Sequence, residues 1–144
     1  MIQYDRRKYD EAIADFTEAI KLNAYYAEAY YGRGLAQHLK GNYAAAVADY
    51  DRALEIVPPL TRAFGARGAA KFTQGKLDEA LADLKEAVKA EPKEAANYER
   101  LGDASARLGD MEQARDAWGK ALSLSDETDA RTRLKAKLAG ASKE

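Results

Sequence analysis

The feature that most constrains this chain is a spacing of 34 residues that runs through it without an insertion. Gly34, Gly68 and Gly102 stand at that spacing, and so do Gly41, Gly75 and Gly109. Two alanine columns share the register: Ala12, Ala46, Ala80 and Ala114, then Ala19, Ala53, Ala87 and Ala121. Large side chains fill two more, Phe16, Tyr50, Leu84 and Trp118 beside Tyr30, Phe64 and Tyr98. A period of this length means stacked supersecondary units, each of which can bury its apolar face only against its neighbours.

Within each unit the apolar spacing is helical, and a glycine-led break divides it in two. The pattern predicts helices over 29–39 and 44–56, over 62–73 and 77–90, and over 96–107 and 111–124. Gly34, Gly68 and Gly102 fall inside first helices, where glycine costs about 1 kcal/mol relative to alanine. That cost implies a close helix contact with no room for a Cβ, and Ala46, Ala80 and Ala114 are the residues expected to face it. Gly41, Gly75 and Gly109 are expected to end the first helices in a left-handed conformation. Pro58 and Pro92 stop the second helices. With only three prolines and abundant alanine, leucine, glutamate and lysine, the chain is expected to be all-α.

The run Tyr30-x2-Arg33-Gly34, followed by Gly41, Ala46, Tyr50, Ala53 and Pro58, resembles the tetratricopeptide repeat (TPR), and its wording is similar to bacterial members. The resemblance covers essentially the whole chain and implies a right-handed α-solenoid whose first helices line a concave groove. The 144 residues then form a single domain: a truncated first repeat (1–26), complete repeats at 27–60, 61–94 and 95–128, and a capping helix with tail (129–144). In the first repeat most of the first helix is missing, while the second is expected from about Asp10 to Leu22. Asp129 to Ala139, with a basic face and a thin apolar stripe, suits a polar cap better than a membrane anchor. Arg33 and Arg67 depart from the family, which usually has leucine there, and Asp126 replaces a terminal proline. Pentatricopeptide RNA binders have a similar period, but a net charge of −1 lacks their basic excess, so no nucleic-acid partner is expected.

The catalytic inventory is nearly empty. There is no cysteine, His38 is the one histidine, and no His-Glu-x-x-His, Gly-x-Ser-x-Gly or phosphate-loop motif occurs. Neither an enzyme nor a metal or cofactor site is expected. Asp10-Glu11 and Asp78-Glu79 head second helices, where negative charge is favourable, and Trp118 belongs to a core column. No run approaches the ~18 apolar residues of a membrane span, and the start is unlike a signal peptide, which together suggest a cytoplasmic protein.

Binding is where the resemblance points. Its groove positions, mapped here, nominate Tyr31, Leu35, His38, Arg62, Phe72, Glu99, Arg100, Asp103 and Arg107 as ligand residues. Gly32, Gly65, Ala66 and Ala69 would leave a small-residue floor. Apolar pockets near Tyr31 and arginines beyond suit a peptide with an apolar anchor and an acidic portion, with Tyr31 and Phe72 as hot spots. The alternative is that Phe72 packs against its own neighbours while the arginines pair with Glu99 and Asp103. The chaperone-binding subgroup clamps a terminal carboxylate at positions that hold Tyr31, Leu35 and Ala66 here. Only Arg100 matches, so that specialism is not expected. A second reading is a self-assembling scaffold in which Ile13, Phe16, Ala19 and Ile20, with Tyr25 and Tyr26, pair in a homodimer through the N-terminal end. A third is a regulatory part of a larger enzyme or secretion component.

Overall fold

The computed structural model describes residues 3–141, and among them every regular element is a helix. In order these are α1 (Gln3–Leu22), α2 (Ala27–Leu39), α3 (Tyr43–Glu55), α4 (Ala63–Thr73), α5 (Leu77–Ala90), α6 (Ala95–Arg107), α7 (Met111–Leu124) and α8 (Thr128–Ala141). Gly41, Gly75 and Gly109 have φ of 88°, 80° and 87°, so each takes the left-handed turn that closes a first helix. The helices before Pro58 and Pro92 end at Glu55 and Ala90, ahead of the residues that proline restricts.

One boundary differs from the expectation. α1 starts at Gln3 rather than near Asp10 and runs unbroken to Leu22. The reason is local. At the register position of Gly41, Gly75 and Gly109 the first repeat has Arg7, which is not suited to a left-handed turn, so the backbone continues as helix.

Each helix packs mainly on the next in sequence, and α4 also touches α2 and α6. The first helices α2, α4 and α6 therefore share one face of the stack, with α3, α5 and α7 behind them. The core follows the columns: Ala46, Ala53, Ala80, Ala87, Ala114 and Ala121 are all fully buried. A second expectation needs correction here. The in-helix glycines face chiefly the large column rather than the alanines. A Cβ placed on Gly34 would lie 2.6 Å from the Tyr50 ring, one on Gly68 2.8 Å from Leu84, and one on Gly102 2.4 Å from Trp118. Glycine is required because the bulky side chain of the second helix sits directly on the backbone of the first.

The two arginines that depart from the family are matched across the same helix pairs. Arg33 donates to both carboxylate oxygens of Asp49, at 2.9 and 2.7 Å, and Arg67 does the same to Asp83. A third donor reaches the preceding repeat, from Arg33 to Thr17 and from Arg67 to Asp51. In the fourth repeat the corresponding positions are Leu101 and Ala117, which join Leu84 and Ala104 in one apolar cluster.

α8 closes the stack. Leu134 and Ala141 pack against Ala114, Trp118 and Ala121, and the helix extends past Ala139 to Ala141. From its other side Arg133 and Lys137 reach back to α6, where they bind Glu99 at 2.7–2.8 Å and Lys137 also binds Asp103 at 2.8 Å. The helix thus occupies the place of a first helix in a further repeat, with apolar contacts to α7 and charges to α6.

Candidate functional site

Because α2, α4 and α6 lie side by side, their small residues open a concave cavity of about 480 Å³. A volume of this size is ample for several side chains of a bound segment. Ala66 and Ala69 of α4 form part of its floor, and Tyr31, Leu35, His38 and Leu39 of α2 form one wall. Ala96, Asn97 and Arg100 of α6 form the other, Arg62 stands at the head of α4, and Glu91 and Glu94 border the turn into α6. Leu35 and Leu39 are exposed, Leu39 by 55%, which leaves an apolar strip open on that wall.

The cations differ in how they are held. Arg62 pairs with Glu28, the residue one repeat earlier, and its guanidinium lies 4.8 Å from the Tyr31 ring centroid in cation–π contact. Arg100 donates to Asn97 Oδ1 at 3.2 Å but has no carboxylate partner among the described residues. His38 packs edge-on against Tyr43, with ring centroids 5.2 Å apart. Burial, reinforced by the positive charge of Arg100, holds its pKa below the usual value, so at pH 7 the ring is neutral.

Two of the cavity's polar groups are deeply buried. Asn97 is 2% exposed, and a Cβ on Gly65 would sit 2.3 Å from its Oδ1, so Gly65 makes space for the amide. Tyr50 is fully buried, its ring 6.0 Å from that of Tyr31, and its phenol oxygen has no hydrogen-bond partner among the described residues. Burial pushes this phenol well above its ordinary pKa, so it remains a protonated donor.

The structure gathers Tyr31, Leu35, His38, Arg62 and Arg100 around this one cavity. It places the other four groove residues elsewhere. Phe72 packs against the cluster of Leu84, Leu101, Ala104 and Ala117, and Arg107 covers its ring at 5.3 Å. Glu99 and Asp103 face α8 and bind its Arg133 and Lys137 rather than the groove arginines, and Asp103 also accepts from Trp118 Nε1 at 3.0 Å. Arg133, then Lys137, holds the Glu99 carboxyl down to about 2. Asn97, Tyr50, Glu91 and Glu94 were not nominated from the sequence. A signal existed for two of them: Asn97 is polar where Ala29 and Ala63 stand, and Tyr50 carries a hydroxyl in a column otherwise of Phe, Leu and Trp.

At the other end of the stack, Ile13, Phe16, Ala19 and Ile20 are half-buried, Phe16 lying against Gly32 of α2. Ala12 and Ala19 are likewise only half-covered, whereas their column mates in later repeats are fully buried. Tyr25 is 72% exposed and Tyr26 46%, with Arg52 stacked 5.6 Å from the Tyr25 ring. No helix among the described residues is long and apolar enough to cross a membrane.

The tetratricopeptide repeat family profile matches residues 1–60 and 66–127. The chain belongs to the tetratricopeptide repeat family. Solved structures similar to this TPR protein include the crystal structure of MamA, at 20% identity and a TM-score of 0.83, covering 92% of this chain and 76% of that one. A MamA structure from Desulfovibrio magneticus RS-1 is similar at 26% identity and a TM-score of 0.79, covering 94% and 80%. The first TPR of Spaghetti (RPAP3), bound to the HSP90 peptide SRMEEVD, is similar at 24% identity and a TM-score of 0.73, covering 82% and 94%. No curated protein matches the TPR chain. At these identities the first and third likenesses establish the fold of this TPR protein and nothing finer.

Proposed function

We propose that this TPR protein is an interaction module that holds a segment of a partner protein in the concave cavity between α2, α4 and α6. The observation that carries the reading is the lining itself, which sets exposed Leu35 and Leu39 and the Tyr31 face beside two arginines. An apolar side chain of the partner seats on the α2 wall, and an acidic portion lies toward Arg62 and Arg100. A peptide held by a similarly folded TPR, in the Spaghetti (RPAP3) structure, supports the same use of the fold here. Random peptides displayed on phage and selected on the wild-type chain test it. Binders are expected, and Tyr31→Ala with Leu35→Ala should weaken them by about tenfold or more. Binders indifferent to that double variant would move the site off the groove.

A second reading is favoured by the half-covered alanines of α1. The face of Ile13, Phe16 and Ile20, with Tyr25 and Tyr26 beside it, is apolar surface that a second copy of the chain would bury. Size exclusion with light scattering should then show a dimer that Phe16→Glu dissociates. A monomer at high concentration removes this reading and leaves the groove untouched.

A further inference from the structure

The polar end of the cavity has more built into it than a generic groove needs. Three donor-bearing residues of its lining have no carboxylate partner among the described residues. Among the described residues Arg100 has no ion pair, and the fully buried hydroxyl of Tyr50 has no partner. Asn97, also buried, spends its oxygen on Arg100, which leaves its amide N–H groups without an acceptor among the described residues. A buried polar group left unpaired costs about 1–3 kcal/mol, so an unfilled phenol at the wall of a cavity calls for an acceptor. Glu91 and Glu94 line the same cavity and form no ion pair among the described residues either. Elsewhere the chain pairs its charges freely, as at Arg33–Asp49, Arg67–Asp83 and Glu99–Arg133. Arg100, Glu91 and Glu94 thus bring charges of both signs without ion pairs to the lining of one cavity.

We propose that Arg100, Asn97 and Tyr50 form a subsite for the side-chain carboxylate of an Asp or Glu inside the bound segment, and that Glu91 and Glu94 receive a Lys or Arg of the same segment. This rests on the groove reading above. The acid belongs to the interior of the segment, not to its C-terminus. The lining runs from Tyr31, Leu35 and Leu39 on α2, past Ala66 and Ala69 of α4, to Arg100 on α6, and Glu91 and Glu94 lie in the turn that leads into α6. A segment that meets both the α2 wall and that turn therefore passes Arg100 between them. Tyr50 supplies direction as well as attraction. Its hydroxyl is fixed at the wall and remains protonated, so it rewards an acceptor that reaches the bottom of the cavity and not one that stays at the rim. The opposed charges also set polarity, because a segment laid in reverse would place its base on Arg100 and its acid on the glutamates.

The test uses the peptides selected on the wild-type chain, synthesised with acetylated N-termini and amidated C-termini and measured by calorimetry. They are expected to contain an acidic residue whose replacement by its amide weakens binding about tenfold, equivalent to about 1.4 kcal/mol. Arg100→Gln should weaken binding to a similar degree and erase the preference for acid over amide. Glu91→Gln with Glu94→Gln should erase the preference for the basic residue alone. Tyr50→Phe separates the subsite from a structural role: affinity should fall several-fold while the melting temperature holds or rises, since an unpaired buried hydroxyl is removed. Peptides that need Tyr31 and Leu35 but ignore Arg100→Gln and carry no acid would overturn the subsite and leave the groove reading standing. Peptides that bind only with a free C-terminal carboxylate would overturn the assignment to a side chain. Binding that ignores the Tyr31 and Leu35 variants, or selection of no peptide at all, would overturn the groove reading and the subsite with it.

Discussion

The second and third repeats solve the same packing problem as the fourth with opposite chemistry. In the former, a two-toothed arginine–aspartate pair bridges the two helices of the repeat, Arg33 to Asp49 and Arg67 to Asp83. In the latter the same two positions are Leu101 and Ala117, and the charges lie instead at Glu99 and Asp103, which bind α8. The register is common to all three, so the column fixes where a residue sits but not what it must be. The positions change as pairs. An arginine facing an alanine, or a leucine facing an aspartate, occurs in none of the complete repeats, because either would leave a partly buried group without a counterpart. Gly65 and Asn97 are another such pair, where the loss of one side chain houses the other.

The largest effect should come from breaking one charged bridge from the acid side. Asp83→Ala removes the main partner of Arg67 and also the 3.3 Å contact of Lys71, leaving Asp51 to the arginine and Glu79, at 3.8 Å, to the lysine. Urea unfolding should show a loss of about 3 kcal/mol, and a loss near zero would mean the bridges contribute nothing net. Next comes Gly102→Ala, which forces a Cβ against the rigid Trp118 indole, at a cost of about 1–3 kcal/mol. Gly68→Ala meets Leu84 Cγ at 2.8 Å and the Ala80 carbonyl oxygen at 3.3 Å, longer approaches than the 2.4 Å to Trp118, and should cost less in the same melts.

A third experiment probes the relocated charges through pH. The folded Glu99 carboxyl, with Arg133 beside it, titrates near 2 against an ordinary 4.5. Its contribution is therefore complete above about pH 4.5 and is lost as the pH falls from there toward 2. Thermal melts across that window should show a steeper decline for wild type than for Glu99→Gln, and parallel curves would disconnect α8 from this carboxylate. The smallest effect sharpens the comparison most. Converting the second repeat to the chemistry of the fourth, with Arg33→Leu and Asp49→Ala together, should leave stability within about 1 kcal/mol of wild type. Either change alone should cost more, measured in the same unfolding series.

Most of the fold was legible because the period overdetermines it. Glycine turns at 41, 75 and 109 and the alanine columns set α2 to α7 nearly to the residue, since the turn is marked three times and the proline stop twice. α1 is longer than the register predicts because the break needs a residue that supports it, and Arg7 does not. The helix glycines face the large column for a different reason: helical spacing says which residues share a face, not how far each side chain reaches. Tyr50 and Trp118 reach across to the opposite backbone, and alanine does not. In the site, a family groove map located Tyr31, Leu35, His38, Arg62 and Arg100 together, since the small residues of α4 keep that stretch open. Phe72, Glu99, Asp103 and Arg107 occupy equivalent positions, but their surroundings depend on which neighbour follows. For Glu99 and Asp103 that neighbour is α8, whose basic residues a map of single repeats ignores.

The nearest-neighbour packing of the stack has a mechanical corollary. Helices that touch little beyond the next in line behave as links, and a disturbance at one end fades before it reaches the other. A segment lying in the cavity would span α2, α4 and α6 at once, and so join links that otherwise communicate only in sequence. Occupancy would act as a splint, raising the cost of opening any one of these repeats to the cost of opening several. Amide exchange should then slow in concert across all three helices when a peptide binds, while α8 keeps its own rate.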